Sequence, residues 1–288
     1  MSDAESANAA QIDYWNATAG PTWVAYQEQL DRQIEPLGRA AMAALAPAPG
    51  ERVLDIGCGC GQSTMALAEA VGAGGTVVGA DISAPMLEVA RARPVAVGAA
   101  RPSFRQADAQ VDDLAEGVPG GFDAVFSRFG VMFFADPAAA FANIRKALKP
   151  GGRLAFVCWR PFAENPWMAL PAAAAAPHLP APAAPPDPNA PGPFAFADPE
   201  RVRGILGDAG FGAVSIAPHD ARIGGGGIET YMELAFKVGP LGAALREAPH
   251  LAPVVSEAVR AAITPYATPE GLVLMPAAVW IVQARNPG

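Results

Sequence analysis

Metal-binding and disulfide chemistry have little to work with in this chain. Three cysteines (Cys58, Cys60 and Cys158) and three scattered histidines occur in 288 residues. So few cysteines fit a reducing compartment better than a disulfide framework. Cys58 and Cys60 form a C-x-C pair, but a structural zinc site takes about four ligands. The pair therefore reads as small residues in a tight turn, and no metal is expected. Basic clusters are missing too. The formal net charge is −8, and no run of Lys and Arg stands ready to neutralise phosphates, which argues against a nucleic-acid partner. No apolar stretch of about 18 residues runs free of charge or proline, so no membrane span is expected. Met1 to Ala10 is acidic and lacks the basic flank and apolar core of a secretory leader, which makes the cytoplasm the expected setting.

Apolar residues, by contrast, are plentiful at 51%. At this length they support one α/β domain of roughly 200 residues with additions. The most informative stretch runs Val53-Leu54-Asp55-Ile56-Gly57-Cys58-Gly59-Cys60-Gly61, followed by a helix-forming run from Met65 to Val71. It reads as a buried parallel strand ending near an acid, a tight turn and a helix start. Glycines at 57, 59 and 61 leave the backbone bare for a ligand. Their spacing is G-x-G-x-G, not the G-x-G-x-x-G of a dinucleotide fingerprint. A second buried strand, Thr76 to Asp81, ends in an acid 20 residues beyond Gly61, the distance at which a carboxylate reaches a nucleoside ribose. Ile82 follows, placed to pack on a base, and Ser83 caps a helix from Ala84 to Arg91 with Pro85 in its first turn.

The first stretch resembles motif I of the class I S-adenosylmethionine-dependent methyltransferases. Three further elements follow in that family's order: Asp81, Asp108 after a third strand (Ser103 to Gln106), and the turn Leu148-Lys149-Pro150-Gly151-Gly152 before a strand from Arg153 to Trp159. The resemblance covers about residues 52–159. It implies a Rossmann-like, mostly parallel seven-stranded sheet of order 3-2-1-4-5-7-6, with S-adenosylmethionine as cofactor. The cofactor residues it implies are Asp55, Gly57, Cys58, Gly59, Gly61, Asp81, Ile82, Asp108, Ala109 and Ser127. Asp108 would accept from the adenine amino group, although it also suits the N-cap of a turn holding Val111 and Leu114, and Asp112 and Asp113 compete with it. After the fourth strand (Phe122 to Phe126) comes Ser127-Arg128-Phe129-Gly130-Val131-Met132-Phe133-Phe134. No (N/D)-P-P-(Y/F) tetrad, glutamate pair or Pro-Cys nucleophile stands there. That resembles the small-molecule methyltransferases of quinone and natural-product pathways, the type 11 and type 25 methyltransferase domains.

The remaining segments frame this core. Residues 1–47 are expected to form a helical lid, with a helix over Ile12 to Ala46 broken at Gly20-Pro21. Tyr14, Trp15 or Trp23 would close over the cofactor, and Trp23 is the residue assigned to it. Residues 48–160 form the cofactor-binding core. Residues 161–197 are Ala- and Pro-rich, with Pro185-Pro186 and Pro191-Gly192-Pro193 as the stiffest parts, and read as an extended surface loop that buries little. Residues 198–288 return to the core: a helix capped by Asp198, a strand over Phe211 to Pro218, a helical cap at about residues 221–269, and a final strand from Gly271 to Ala284. Pro276 in that strand implies a bulge or an edge position. Phe129, Met132, Trp159 and Trp167 are the expected walls for an apolar or aromatic small-molecule substrate.

For a general base the candidates are few. His219, placed at the end of the sixth strand, leads over His178 and His250, though a surface turn with Asp220 explains it as well. Arg128 suits an anionic substrate group, and an ion pair with Asp123 or Asp136 accounts for it equally. The other readings are a methyltransferase-like protein that binds the cofactor without turnover, and an NAD(P)-dependent oxidoreductase.

Overall fold

Seven strands organise the chain in the computed structural model, which describes residues 8–180 and 187–288. They are β1 Arg52–Ile56, β2 Thr76–Asp81, β3 Ser103–Gln106, β4 Phe122–Arg128, β5 Leu148–Trp159, β6 Gly212–Ile223 and β7 Met275–Arg285. The sheet order is 3-2-1-4-5-7-6. β1 pairs in parallel with β2 and β4, while β7 lies antiparallel between β5 and β6. The central strands are buried on both faces, as the unbroken apolar runs in Val53-Leu54 and Val77-Val78 demand.

Eleven α-helices are described: α1 Ala9–Asp13, α2 Ala19–Ala25, α3 Gln27–Leu45, α4 Gln62–Val71, α5 Ala84–Ala92, α6 Pro137–Ala147, α7 Pro166–Ala175, α8 Pro199–Asp208, α9 Ile228–Lys237, α10 Gly239–Glu247 and α11 Ala252–Ile263. From β1 the chain steps outward to β2, and from β4 it steps the other way to β5. Right-handed crossovers in opposite directions put α4 and α6 on opposite faces. α3 lies across β4, β5 and β7 on the α4 side and buries Leu30, Ile34, Leu37, Ala41 and Leu45, the spacing of one helical stripe. No helix among the described residues is long and apolar enough to cross a membrane, and no three metal-ligating side chains cluster among them.

Several boundaries differ from expectation. Gly20-Pro21 does not break the N-terminal helix. The irregularities are a π-helical turn over Tyr14–Thr18 and a kink at Tyr26. Gly20 is needed instead for close packing, since a Cβ there would lie 2.0 Å from the Trp15 carbonyl oxygen and 2.5 Å from Ser83 Oγ. The segment at 161–197 is not an extended loop: α7 occupies Pro166–Ala175, and Phe196 is completely buried beside Phe141 and Phe156. Of its stiff prolines, Pro185-Pro186 lies outside the described residues, as do residues 1–7, whereas Gly192 is tied to the core by its N–H to the Met132 carbonyl at 3.1 Å. β6 runs on to Ile223 and β7 starts at Met275, so the insertion between them is residues 224–274. Within it α9, α10 and α11 pack with α7 around a second apolar core of Tyr231, Met232, Leu241, Val255, Val259 and Ile263.

Pro276 does sit at an edge. β7 pairs with β5 between Val279 and Arg285, and on that side only one further backbone bond among the described residues, from Arg160 N–H to the Ala278 carbonyl at 3.1 Å, precedes it. Ala278 is the first residue beyond this pairing, and the Asn165 carboxamide takes over from the departed strand. Its Oδ1 accepts from Ala278 N–H at 2.9 Å and its Nδ2 donates to the Ala278 carbonyl at 3.1 Å. The same amide, fully buried, also donates to the Arg160 carbonyl and accepts from Trp167 Nε1. Asn165→Ala would strip these bonds from buried backbone groups. It is expected to cost about 3 kcal/mol, read as a lower chemical-denaturation midpoint with an unchanged m-value.

Candidate functional site

A cavity of about 430 Å³ opens at the carboxyl ends of β1, β2 and β4, the switch point where strand order reverses. Its floor depends on two loops coming into backbone contact. Gly57 follows β1 with φ +65°, and a Cβ on it would lie 2.7 Å from Gly130 Cα. A Cβ on Gly130 would reach 2.8 Å from Gly57 Cα and 2.9 Å from the Ile56 carbonyl oxygen. Phe129, just before Gly130, is held at φ +61°, a strained backbone for an aromatic residue. Its ring stacks on Trp159 with centroids 4.3 Å apart and planes 10° apart. Trp167 continues that wall at 4.9 Å.

Of the residues assigned to the cofactor, Gly57, Cys58, Gly59, Asp81, Ile82, Asp108, Ala109 and Trp23 line this cavity. Asp55, Gly61 and Ser127 do not. Asp55 is fully buried beneath the loop, where its Oδ2 accepts from Ser63 Oγ at 2.8 Å and Thr64 Oγ1 at 2.7 Å. These bonds pin the start of α4 to β1. A Cβ on Gly61 would lie 2.9 Å from Ala90 Cβ, so this glycine serves helix packing and not ligand access. Ser127 Oγ donates to the Ile56 carbonyl at 2.7 Å and ties β4 to β1.

Asp81 organises the turn from both oxygens. Oδ2 accepts from Gly59 N–H at 2.7 Å and Oδ1 from Ser83 N–H at 2.8 Å. Burial raises its pKa above the ordinary carboxylate value, and these backbone donors work against that rise. Asp108 accepts from Asn8 Nδ2 at 2.7 Å and from Gln110 N–H at 2.9 Å, so it caps its turn and faces the cavity at once. Among the described residues, Asn8 Oδ1 has no hydrogen-bond partner and is buried there. Asp112 and Asp113 turn to backbone N–H groups of their own loop and stay off the cavity wall.

The N-terminal segment closes one side. Tyr14, Trp15 and Trp23 all line the cavity, and Trp15 spans it, edge-on to Phe133 at 5.0 Å and to Trp23 at 6.2 Å. The π-helical turn is strapped to the end of β2, where Asn16 Nδ2 donates to the Ile82 carbonyl at 3.0 Å and Asn16 Oδ1 accepts from Ala84 N–H at 2.9 Å. Arg128 pairs with neither Asp123 nor Asp136. Asp123 meets Lys149, and Asp136 caps α6. The partner is Asp31 of α3, at 3.0 Å, which also meets Arg93 at 2.6 Å. Asp31 and Gln27 were missed as cavity residues. The available hint was an acid at 31 directly beside the apolar stripe of α3.

Phe129, Met132, Trp159 and Trp167 line the opposite end together with Met168, Tyr231, Leu234 and Leu241 of α7 and the cap. His219 is not among the lining residues. It lies mid-strand on β6, opposite Val279, with four residues of strand still to come. Cys58 and Cys60 are buried, and burial drives both thiols up, Cys60 to about 12. Neither offers a thiolate.

A family model described as a methyltransferase domain matches residues 53–152. Residues 53–152 carry a methyltransferase domain. Aklanonic acid methyltransferase DauC of Streptomyces sp. (strain C5) is 39% identical over 122 residues, which are 42% of this chain and 54% of that protein. Nocamycin O-methyltransferase of Saccharothrix syringae is 35% identical over 121 residues, 42% of each chain. The chain thus spans about half the length of the curated relatives it matches. Among solved structures, the YcgJ protein of Bacillus subtilis aligns with a TM-score of 0.54 at 17% identity, covering 86% of this chain and 97% of that one. Phosphoethanolamine N-methyltransferase 2 of Haemonchus contortus, in complex with S-adenosylhomocysteine, aligns at 0.51 with 18% identity, covering 88% and 53%. These two share the fold of the methyltransferase domain.

The cofactor of this domain is S-adenosylmethionine, and the cavity suits it. Asp81 offers acceptors for ribose hydroxyls, Asp108 and the unpartnered Asn8 Oδ1 offer acceptors for an amino-purine, and Gly57 and Gly59 present bare backbone.

Asp55 sets a pH dependence of stability. Burial raises its pKa to about 6, against the lowering effect of Thr64 and Ser63. The folded state therefore holds the proton over a pH range in which the unfolded chain has released it, so Asp55 contributes most below its ordinary pKa and loses that contribution as pH rises through about 6. Measured against Asp55→Asn, the wild-type protein is expected to lose roughly 2 kcal/mol of unfolding free energy between pH 4 and pH 7. Equilibrium denaturation of both proteins across that range checks this.

Proposed function

We propose that this protein transfers the methyl group of S-adenosylmethionine to a small, flat, apolar acceptor by in-line displacement. One observation carries this reading: the motif I loop and the Phe129–Trp159–Trp167 wall are two ends of a single cavity. A nucleoside held by Asp81 and Asp108 at the first end faces an aromatic surface at the second. The names of the two relatives, both small-molecule methyltransferases, point the same way.

When bound, the cofactor supplies a methyl group already activated on a sulfonium. The side chains then have three tasks. Asp81 holds the Gly59 turn and, because each carboxylate oxygen accepts more than one bond, takes the ribose hydroxyls as well. Asp31 and Arg128, a carboxylate and a guanidinium at the α3 side of the same cavity, match an amino-acid zwitterion. Trp15 and Trp23 of the lid and the apolar cap exclude water, so that the acceptor atom meets the methyl carbon along the carbon–sulfur axis. No histidine lines the cavity, Tyr231 donates its hydroxyl to the Trp167 carbonyl, and burial raises that phenol far above its ordinary pKa. Among the described residues no histidine or carboxylate stands with the aromatic wall of the acceptor end, so positioning carries the catalysis in this reading.

Methyl-labelled S-adenosylmethionine incubated with purified protein and a panel of polycyclic phenols, enols and carboxylic acids tests the reading. Gain of one methylene mass on an acceptor supports it, and cofactor binding with no labelled product from the panel or from a cell extract counts against turnover. Asp81→Ala is expected to weaken S-adenosylmethionine binding about a hundredfold by calorimetry, the loss of two hydrogen bonds to a charged acceptor. Unchanged affinity would remove the ribose assignment.

A further inference from the structure

The acceptor end of the cavity is apolar except at its mouth. Lys237 lies in the last turn of α9 and Arg246 in the last turn of α10, and both border the cavity. The Arg246 guanidinium donates to the Lys237 main-chain carbonyl at 3.3 Å, so two cationic side chains share one rim. Among the described residues neither lies within ion-pairing distance of a carboxylate, whereas Arg93, Arg128, Arg153, Arg160 and Arg260 all do. The cavity's own acids are no counter-charge for this rim: Asp31 is held by two arginines, Asp81 by two backbone N–H groups, and Asp108 by Asn8 and Gln110.

A cation near a helix C-terminus is favoured by the helix dipole. That explains one at the end of each helix but not why both border one cavity. Two cationic side chains bordering one opening, in a chain of net charge −8, give that opening a positive character that draws anions.

Resting on the methyl-transfer reading above, we infer that the acceptor is an anionic amphiphile. Its flat apolar body lies on Trp159 and Trp167, and its carboxylate or comparably acidic oxyanion is taken by Lys237 and Arg246. Arginine gives such a group a forked pair of donors and lysine a compact charge.

Anthracene-2-carboxylate and anthracene-2-carboxamide have the same ring system and differ in charge. Titrated calorimetrically into protein saturated with S-adenosylhomocysteine, the carboxylate is expected to bind at least about tenfold more tightly than the carboxamide. In the double variant Lys237→Gln/Arg246→Gln the two probes should bind within about twofold of each other, with S-adenosylhomocysteine affinity unchanged as the check on folding. The single variants should each lose part of the preference. Equal binding of the two probes by the wild-type protein overturns the anion site, as does a preference that survives the double variant or no binding of the carboxylate at all. Wild-type protein that fails to bind S-adenosylhomocysteine would instead overturn the methyl-transfer reading itself, and that titration is read separately.

Discussion

The architecture of the site rests on backbone touching backbone where β1 and β4 end. Gly57 and Gly130 approach so closely that neither tolerates a Cβ. Because they do, the motif I turn and the loop after β4 form one continuous floor. The same approach accounts for the strain at Phe129. To bring Gly130 against Gly57, the chain must reverse within one residue of the strand end, and Phe129 takes up a positive φ to do so. Its ring is thereby turned onto Trp159, which creates the aromatic wall of the acceptor end. A single close contact thus shapes both halves of the cavity.

Around that floor, two buried acids have distinct duties. Asp55 faces inward and fastens the helix that follows motif I, accepting from Ser63 and Thr64. Its burial carries an electrostatic cost that the two hydroxyls only partly offset, which is why its pKa is high. Asp81 faces the cavity, its carboxylate held in place by Gly59 and Ser83 before any ligand arrives. Pre-organised acceptors of this kind spare a ligand the entropy of ordering them. The lid is fastened by comparable means: Asn16 replaces backbone partners at the end of β2, and Asp31 neutralises Arg128 and Arg93 together. Both contacts span more than 60 residues of chain.

The cap illustrates how composition misleads. An Ala- and Pro-rich segment with few large side chains suggests a loop, because a lone helix made from it buries little. Here Pro166 starts α7 at a position where its missing N–H is harmless. The small alanines then let α11 pack closely against it. Apolar area comes from Tyr231, Leu241 and Val255 in the partners, not from the segment itself. Arg246 reaches the Lys237 main chain at the rim because α9 and α10 end near each other, a proximity that eight intervening residues do not announce.

Local chemistry determined a large share of this protein. Strand positions, the turn glycines and the caps at Asp136 and Asp198 follow from patterns within about a dozen residues, whereas the sheet order was implied only by the family resemblance. Short-range sterics and hydrogen bonding decide such features wherever they occur. Roles that depend on which way a side chain faces were settled only by tertiary packing. Asp55 and Asp81 both lie near the carboxyl ends of neighbouring strands, two register positions apart, yet one is sealed under α4 and the other opens to the cavity. Arg128 found its counter-charge in Asp31, 97 residues away, and His219 stands on an edge strand away from the site. Such pairings depend on how the chain returns through space, and no spacing along the sequence carries that information.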